Sequence, residues 1–331
     1  MPPKEKVLQT IELSGFQRGS SVILSWKMPL RNAPQNSVLH ITRADIYRLA
    51  EPITSPQNLS EEEFASRSNI IGSYSITDKD FGGKQIQFVD KLQFAGQPAR
   101  LRYAVRLVNN SGQKAAFSNF FLIEPTAKLS LPPSEVKVSV SQDALSVAWQ
   151  LPSGNIDGST PANIIGYNIY RSESEKVPAK LLNTSPVTDS GYRDEFFEFE
   201  KTYFYFVRAV SLGADGSPME SAESEIVKVT PKDTFPPTAP TALTIAASTN
   251  SISIFFPANP ETDVEGYLIY RTTDDTIPKE KWELMTQTPI KTTTYKDEKV
   301  QPGTRYFYFV RAVDKYKNIS EPSEVVSEVL P

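Results

Sequence analysis

The octapeptide Tyr-Phe-Tyr-Phe-Val-Arg-Ala-Val occupies residues 203–210 and recurs unchanged at 306–313. A degraded copy, Tyr-Ala-Val-Arg-Leu-Val, stands at 103–108. A spacing of about one hundred residues is too long for a solenoid unit and suits a small domain that buries its own core. The repeat therefore divides the 331-residue chain into three parts, each long enough for one sandwich core.

The same signals surround each copy in the same order. An alternating strand ends in a large aromatic: Val22, Leu24 and Trp26, then Leu145, Val147 and Trp149, then Ile252, Ile254 and Phe256. Period two with one apolar face marks a half-buried strand. A second strand follows as Asp45-Ile46-Tyr47-Arg48, Gly166-Tyr167-Asn168-Ile169-Tyr170-Arg171 and Gly266-Tyr267-Leu268-Ile269-Tyr270-Arg271. A short strand then closes on Asp90, Asp194 or Asp297, and the octapeptide strand comes next. With Gly, Pro and Asn turns between them, these signals predict an all-β fold. It consists of three tandem immunoglobulin-like β-sandwiches, over 1–128, 129–232 and 233–331.

The ordered motifs resemble the fibronectin type III family over nearly the whole chain. Trp26 and Trp149 match its second-strand Trp. Tyr203 and Tyr306 match its corner tyrosine, whose hydroxyl is expected to bond backbone at the turn. Asp-x-x-Pro-Pro-x-x-Pro at 233–240 is similar to the start of a bacterial repeat of this family. Phe256 replaces the Trp in the third copy, and Leu101 stands at the corner position of the first, which makes that copy divergent. The first copy also carries an insertion over 50–85. Within it, Ser60-Glu61-Glu62-Glu63-Phe64 reads as a capping box and predicts a short helix at about 60–67. Pro-rich linkers at 131–133 and 231–240 predict an elongated, semi-rigid array.

Composition narrows the chemistry. The formal charge is −4 and there is no basic run, so no nucleic-acid footprint exists. No apolar stretch approaches the ~18 residues of a spanning helix, and Met1-Pro2-Pro3-Lys4 has no apolar signal core. Cysteine is absent, which excludes disulfides and thiolate metal sites and leaves the compartment open. Four Asn-x-Ser sequons, at Asn58, Asn109, Asn183 and Asn318, carry no weight, since roughly that number arises by chance in such a composition.

The single histidine, His40, cannot make a Ser-His-Asp or Cys-His site with no cysteine and no second histidine. Carboxylates at Glu61 to Glu63, at Glu261 and Asp263, and at Asp274 and Asp275 fall in loops or at a helix start, where solvated acid is the ordinary reading. The segment Asn259–Asp263 offers oxygens, but without the ligand spacing of a known calcium loop. The reading is of a chain that is not an enzyme, with no cofactor and no metal.

The surface of most interest follows from strand parity. If Tyr203, Tyr205, Val207 and Ala209 face the core, then Phe204, Phe206 and Arg208 face outward, beside Tyr170. The third copy repeats this with Tyr270, Phe307, Phe309 and Arg311, whereas the first has Arg102, Ala104 and Arg106. The functional reading is a docking face for a protein partner or a neighbouring domain. The plainer one is self-contained packing of aromatic pairs with Arg over the rings. Trp282 is the candidate platform for a sugar ring.

The family resemblance implies a non-catalytic interaction, scaffold or spacer protein of the bacterial cell envelope, either an accessory subunit of a membrane complex or a lipoprotein-like arm. Its expected location is periplasmic, outer-membrane-associated or extracellular, with a protein partner and a removed N-terminal lipid anchor as the membrane tether. The alternative is a carbohydrate-binding accessory module of a polysaccharide-degrading system. An enzyme in its own right would need convergent acids in a cleft.

Overall fold

The computed structural model describes residues 11–93, 99–175 and 178–331; the Pro-rich start at Met1–Lys4 lies outside them. The described residues form six antiparallel sheets, two to each repeat. The first two sandwiches pack as one compact unit, and the third forms the body of a second unit.

In the first sandwich β1 (Leu13–Arg18), β2 (Ser21–Lys27) and β5 (Gln85–Lys91) make one sheet. The other has the order β4-β3-β6-β7, from β3 (Ile41–Pro52), β4 (Asn69–Ser75), β6 (Ala99–Asn109) and β7 (Phe121–Ile123). Val22, Leu24 and Trp26 alternate into the space between the sheets and meet Ile46, Tyr103, Val105 and Leu107. The helix α1 (Glu61–Arg67) forms as predicted: the Ser60 hydroxyl accepts the Glu63 N–H, and the Glu63 carboxylate accepts the Ser60 N–H. Three glutamates in its first turn complement the positive helix end. The rest of the inserted segment includes β4, which pairs with β3 over Arg43 to Arg48.

The second sandwich has β8 (Ser134–Val140), β9 (Leu145–Gln150) and β12 (Gly191–Asp194) in one sheet. Its other sheet is built on β10 (Gly166–Ser172), β11 (Lys180–Leu181), β13 (Tyr203–Leu212), β14 (Pro218–Glu220) and β15 (Val227–Val229). The third repeats the plan with β16 (Thr244–Ala247), β17 (Ile252–Phe255) and β20 (Thr294–Asp297) against β18 (Val264–Thr272), β19 (Glu283–Leu284), β21 (Arg305–Asp314) and β22 (Val326–Val329). In every repeat the octapeptide strand or its counterpart pairs with the Tyr-Arg strand at the centre of the larger sheet. Phe256 fills the Trp position and meets Tyr267 edge-on at 4.8 Å, as Trp149 meets Tyr167 at 5.2 Å. The indole N–H groups of Trp26 and Trp149 are buried without an acceptor, so phenylalanine removes no hydrogen bond there.

Candidate functional site on the outer faces of the central strand pairs

Parity holds along β13. Tyr203, Tyr205, Val207 and Ala209 are buried in the core, while Phe204, Phe206 and Arg208 lie on the opposite face. Register sets Tyr170 opposite Phe206 and Asn168 opposite Arg208. The Tyr170 and Phe206 rings stack at 4.9 Å, and the Arg208 guanidinium lies 4.7 and 4.9 Å from the two ring centres.

This face is closed from the side by Glu220 on β14. Its carboxylate accepts from Asn168 Nδ2 at 2.7 Å, from the Tyr170 hydroxyl, and from Arg208 at 3.0 Å. Glu223 accepts from the other Arg208 nitrogen at 3.0 Å. Burial works to raise the Glu220 carboxyl, but the Asn168 and Tyr170 hydrogen bonds and the Arg208 charge outweigh it and hold it below its ordinary value. Burial, then the bond to Glu220, pushes the Tyr170 hydroxyl up to about 12. Phe206 and Arg208 retain only 9% and 7% of their accessible surface.

The third sandwich closes the equivalent face with a different cover. Tyr270 stacks on Phe309 at 4.7 Å, and Trp282 lies across Phe309 at 5.0 Å. The Trp282 N–H donates to the Ile277 carbonyl at 3.2 Å, and Lys279 Nζ sits 5.3 Å from the Phe309 ring centre. Phe309 is fully buried and Trp282 is 6% exposed, so Trp282 offers no open ring face to a sugar. Phe204, Tyr270, Phe307 and Arg311 are half-buried, as is Tyr170.

In the first sandwich the cover is α1. Phe64 packs on Phe117 at 5.2 Å and on Phe120 at 4.7 Å, and these lie with Tyr47, Leu49 and Ala104 in a second apolar cluster outside the sheet. Arg106 lies 4.3 Å from the Phe117 ring centre, and the buried Arg102 pairs with Glu51 at 2.8 Å. Three repeats thus fill one face in three ways: by a helix, by an acidic hub, and by a tryptophan.

Two recurring devices went unread in the sequence. In each repeat a tyrosine of the central strand, an aspartate of the smaller sheet and an arginine of the paired strand meet across the core. Tyr103, Tyr205 and Tyr308 donate to Asp90, Asp194 and Asp297 at 2.6, 2.7 and 2.8 Å. Arg48, Arg171 and Arg271 reach the same carboxylates at 2.8, 2.6 and 2.9 Å. Burial first, and then the aspartate, pushes all three hydroxyls well above the ordinary tyrosine value.

The second device is Ser-x-x-Ser after the octapeptide strand. Ser221 and Ser224 accept the N–H groups of Ala209 and Val207, and Ser320 and Ser323 accept those of Ala312 and Val310. Ser118 does this for Val105. The signals were the recurring Asp in the strand before the octapeptide and the paired serines. The corner hydroxyl of Tyr306 accepts the Gln301 N–H at 3.0 Å, as the resemblance implies.

The other sequence candidates take structural roles. His40 Nδ1 lies 2.7 Å from the Ala33 carbonyl, Glu261 accepts the Thr238 N–H, and Asp274 accepts from Thr276.

Within the first unit Glu220 also reaches the first sandwich. The Gly19 N–H donates to its carbonyl at 2.9 Å, and Arg18 approaches its carboxylate at 3.7 Å. Gly19 has a positive φ of 50°, and a Cβ there would stand 2.7 Å from the Ala222 nitrogen. Gln17 ties this turn to the strand end through bonds from its amide to the Gly19 and Thr126 carbonyls. A cavity of about 910 Å³ lies beside the seam, lined among others by Phe16, Arg18, Arg100, Asp215 and Met219.

Two sheets per repeat, three strands against four or five, with the corner tyrosine and a Trp or Phe on the second strand, decide the fold. The three repeats are immunoglobulin-like β-sandwiches that resemble the fibronectin type III fold. No family model matches the sequence. Exoglucanase B of Cellulomonas fimi is 29% identical over 168 residues, which is 50% of this chain and 14% of that protein. The chain thus spans a small part of that relative's length. Among solved structures, the FN1–FN3 domains of chicken CNTN1 match 97% of this chain and 98% of their own, at 17% identity and a TM-score of 0.29. A score that low carries no argument, and the sandwich fold rests on strand order and register.

Proposed function

We propose that this chain is a non-catalytic scaffold or spacer of the bacterial cell envelope, which holds a protein partner at a fixed distance. The observation that carries the reading is the Glu220 hub, which binds the outer face of the second sandwich and the first turn of the first sandwich with one side chain. A spacer needs neighbouring repeats that do not swing freely, and interfaces inside a chain are mobile unless fixed in this way. The partner is met by flanks that stay accessible beside the covered faces, around Phe204 and Phe307, with Tyr170, Phe206, Arg208, Tyr270, Phe309 and Arg311 as the supporting layer.

The test is photo-crosslinking in native cells from a probe placed at Phe204 or Phe307, with a probe at Glu62 as reference. Stoichiometric adducts to one envelope protein from the first two positions support the reading. Adducts that do not differ between the three positions contradict it. A second reading, as an accessory module of a polysaccharide-degrading system, is favoured by the similarity to part of an exoglucanase. Retention on insoluble cellulose, with no adduct, would select it.

A further inference from the structure

Three carboxylates converge at one end of the third sandwich. Asp233 precedes β16, Asp263 directly precedes β18, and Asp314 ends β21; their oxygens lie within 4.8 Å of one another. Asp314 is fully buried and Asp233 is 8% exposed. Taking two charges out of water is costly unless something of opposite sign faces them.

The hydrogen bonds present do not neutralise the group. Asp314 accepts the N–H groups of Tyr316 and Asn318 and the Asn318 amide, each at 2.8 Å. Asp233 Oδ1 accepts from Phe235 at 3.1 Å and weakly from Asn318 at 3.4 Å. Among the described residues, Asp233 Oδ2 and both Asp263 carboxylate oxygens accept nothing, and no Lys or Arg forms an ion pair with any of the three. Burial, and then the charges of Asp314 and Asp263, push the Asp233 carboxyl up against the Phe235 hydrogen bond.

The second sandwich shows that the fold does not need acid here. Laying the octapeptide at 306–313 on that at 203–210 brings Asp314 onto Ser211 and Asp233 onto Ser130. Aligning Tyr267 with Tyr167 brings Asp263 onto Asn163. There the three segments close with their own donors. The Ser130 N–H donates to the Ser211 hydroxyl at 2.9 Å, and the Asn163 amide donates to the Lys128 and Leu212 carbonyls at 2.9 and 3.1 Å. In the third sandwich every one of these side chains has become acceptor-only. Two buried carboxylates and a half-buried third, with no Lys or Arg in an ion pair and Lys315 only weakly opposing their charge, lack a positive centre.

We propose that Asp233, Asp263 and Asp314 form a binding site for a hard divalent cation of the calcium class. All-oxygen donors and the lack of histidine or thiolate select calcium over zinc or copper. Water completes the shell, since three carboxylates supply fewer than the ~6–8 oxygens that calcium takes. The site does not depend on the scaffold reading.

The experiment is calorimetric titration of the EDTA-treated full chain with calcium chloride, alongside thermal melts with and without calcium. Asp263→Asn is the informative variant, because the carboxylate it removes makes no hydrogen bond in the fold. Asp157→Asn, in a turn of the second sandwich, is the control. The expected result is one calcium per chain with affinity in the ~10⁻⁴–10⁻³ M range of extracellular modules, a higher melting temperature with calcium, and both effects lost in Asp263→Asn but kept in Asp157→Asn. Three results would overturn it. One is no binding at millimolar calcium. Another is equal binding by Asp263→Asn, the mark of an adventitious ion only. The last is a melting temperature that rises on mild acidification yet ignores calcium, which would make a shared proton the missing charge.

Discussion

At the scale of single residues, the core of each repeat is fixed by one buried polar contact as much as by packing. Tyr205, Asp194 and Arg171 satisfy one another where water cannot. The tyrosine hydroxyls titrate above their ordinary value in the folded chain, so their stabilising contribution is complete below about pH 10 and is lost as pH climbs further. An ultraviolet titration of the 14 tyrosines should therefore leave Tyr103, Tyr205 and Tyr308 un-ionised until the chain unfolds in alkali. Ionisation of all 14 in one step near pH 10, with the fold intact, would contradict this. Tyr205→Phe should cost about 1–3 kcal/mol in urea melts, and Asp194→Ala about 3–5 kcal/mol, because it removes the buried acceptor of both the Tyr205 hydroxyl and Arg171. At the Trp position packing alone sets the cost. Trp149→Phe should cost below about 1.5 kcal/mol and Trp149→Ala about 3–5 kcal/mol, since the indole N–H has no acceptor to lose.

At the scale of elements, strands two, three, five and six of each repeat were legible because alternation and a repeated motif mark them. The helix α1 was legible from its capping box. Its weight in the fold was not, because Phe64 finds Phe117 and Phe120 across more than fifty residues of chain. Phe64→Ala should cost about 3–5 kcal/mol and Ser60→Ala about 1 kcal/mol, both read from denaturant melts. Parity along β13 and β21 placed Phe206 and Phe309 on the outer face but could not say what lies over them. That information sits in Glu220 and Trp282, on segments with no strand pattern of their own. The Ser-x-x-Ser device was hidden for a related reason: Ser224 looks like a loop residue, yet it takes the place of a strand partner for Val207. Ser224→Ala should cost about 1–3 kcal/mol by leaving that buried N–H unpaired. The carboxylates of the third sandwich were seen one at a time. Asp263 was read with its sequence neighbours, whereas the fold sets it beside Asp233 and Asp314.

At the scale of the molecule, repetition gives three versions of one solution, and the differences between copies carry the information. Glu220 ties the second sandwich to the first. Its lowered pKa places its contribution above the ordinary carboxylate range, to be lost as pH falls through that range. Hydrogen exchange on Glu220→Ala should show faster exchange along β10 and β14, with β16 to β22 unchanged; unchanged exchange along β10 and β14 would contradict the hub. The central claim is that each repeat covers its own outer aromatic face. The most direct measurement is the fluorescence of Trp282 in the Trp26→Phe, Trp149→Phe double variant, where it is the sole tryptophan. The account predicts blue-shifted emission and weak quenching by acrylamide. Emission like that of free indole, with full quenching, would mean that Phe309 is uncovered and the face is open after all.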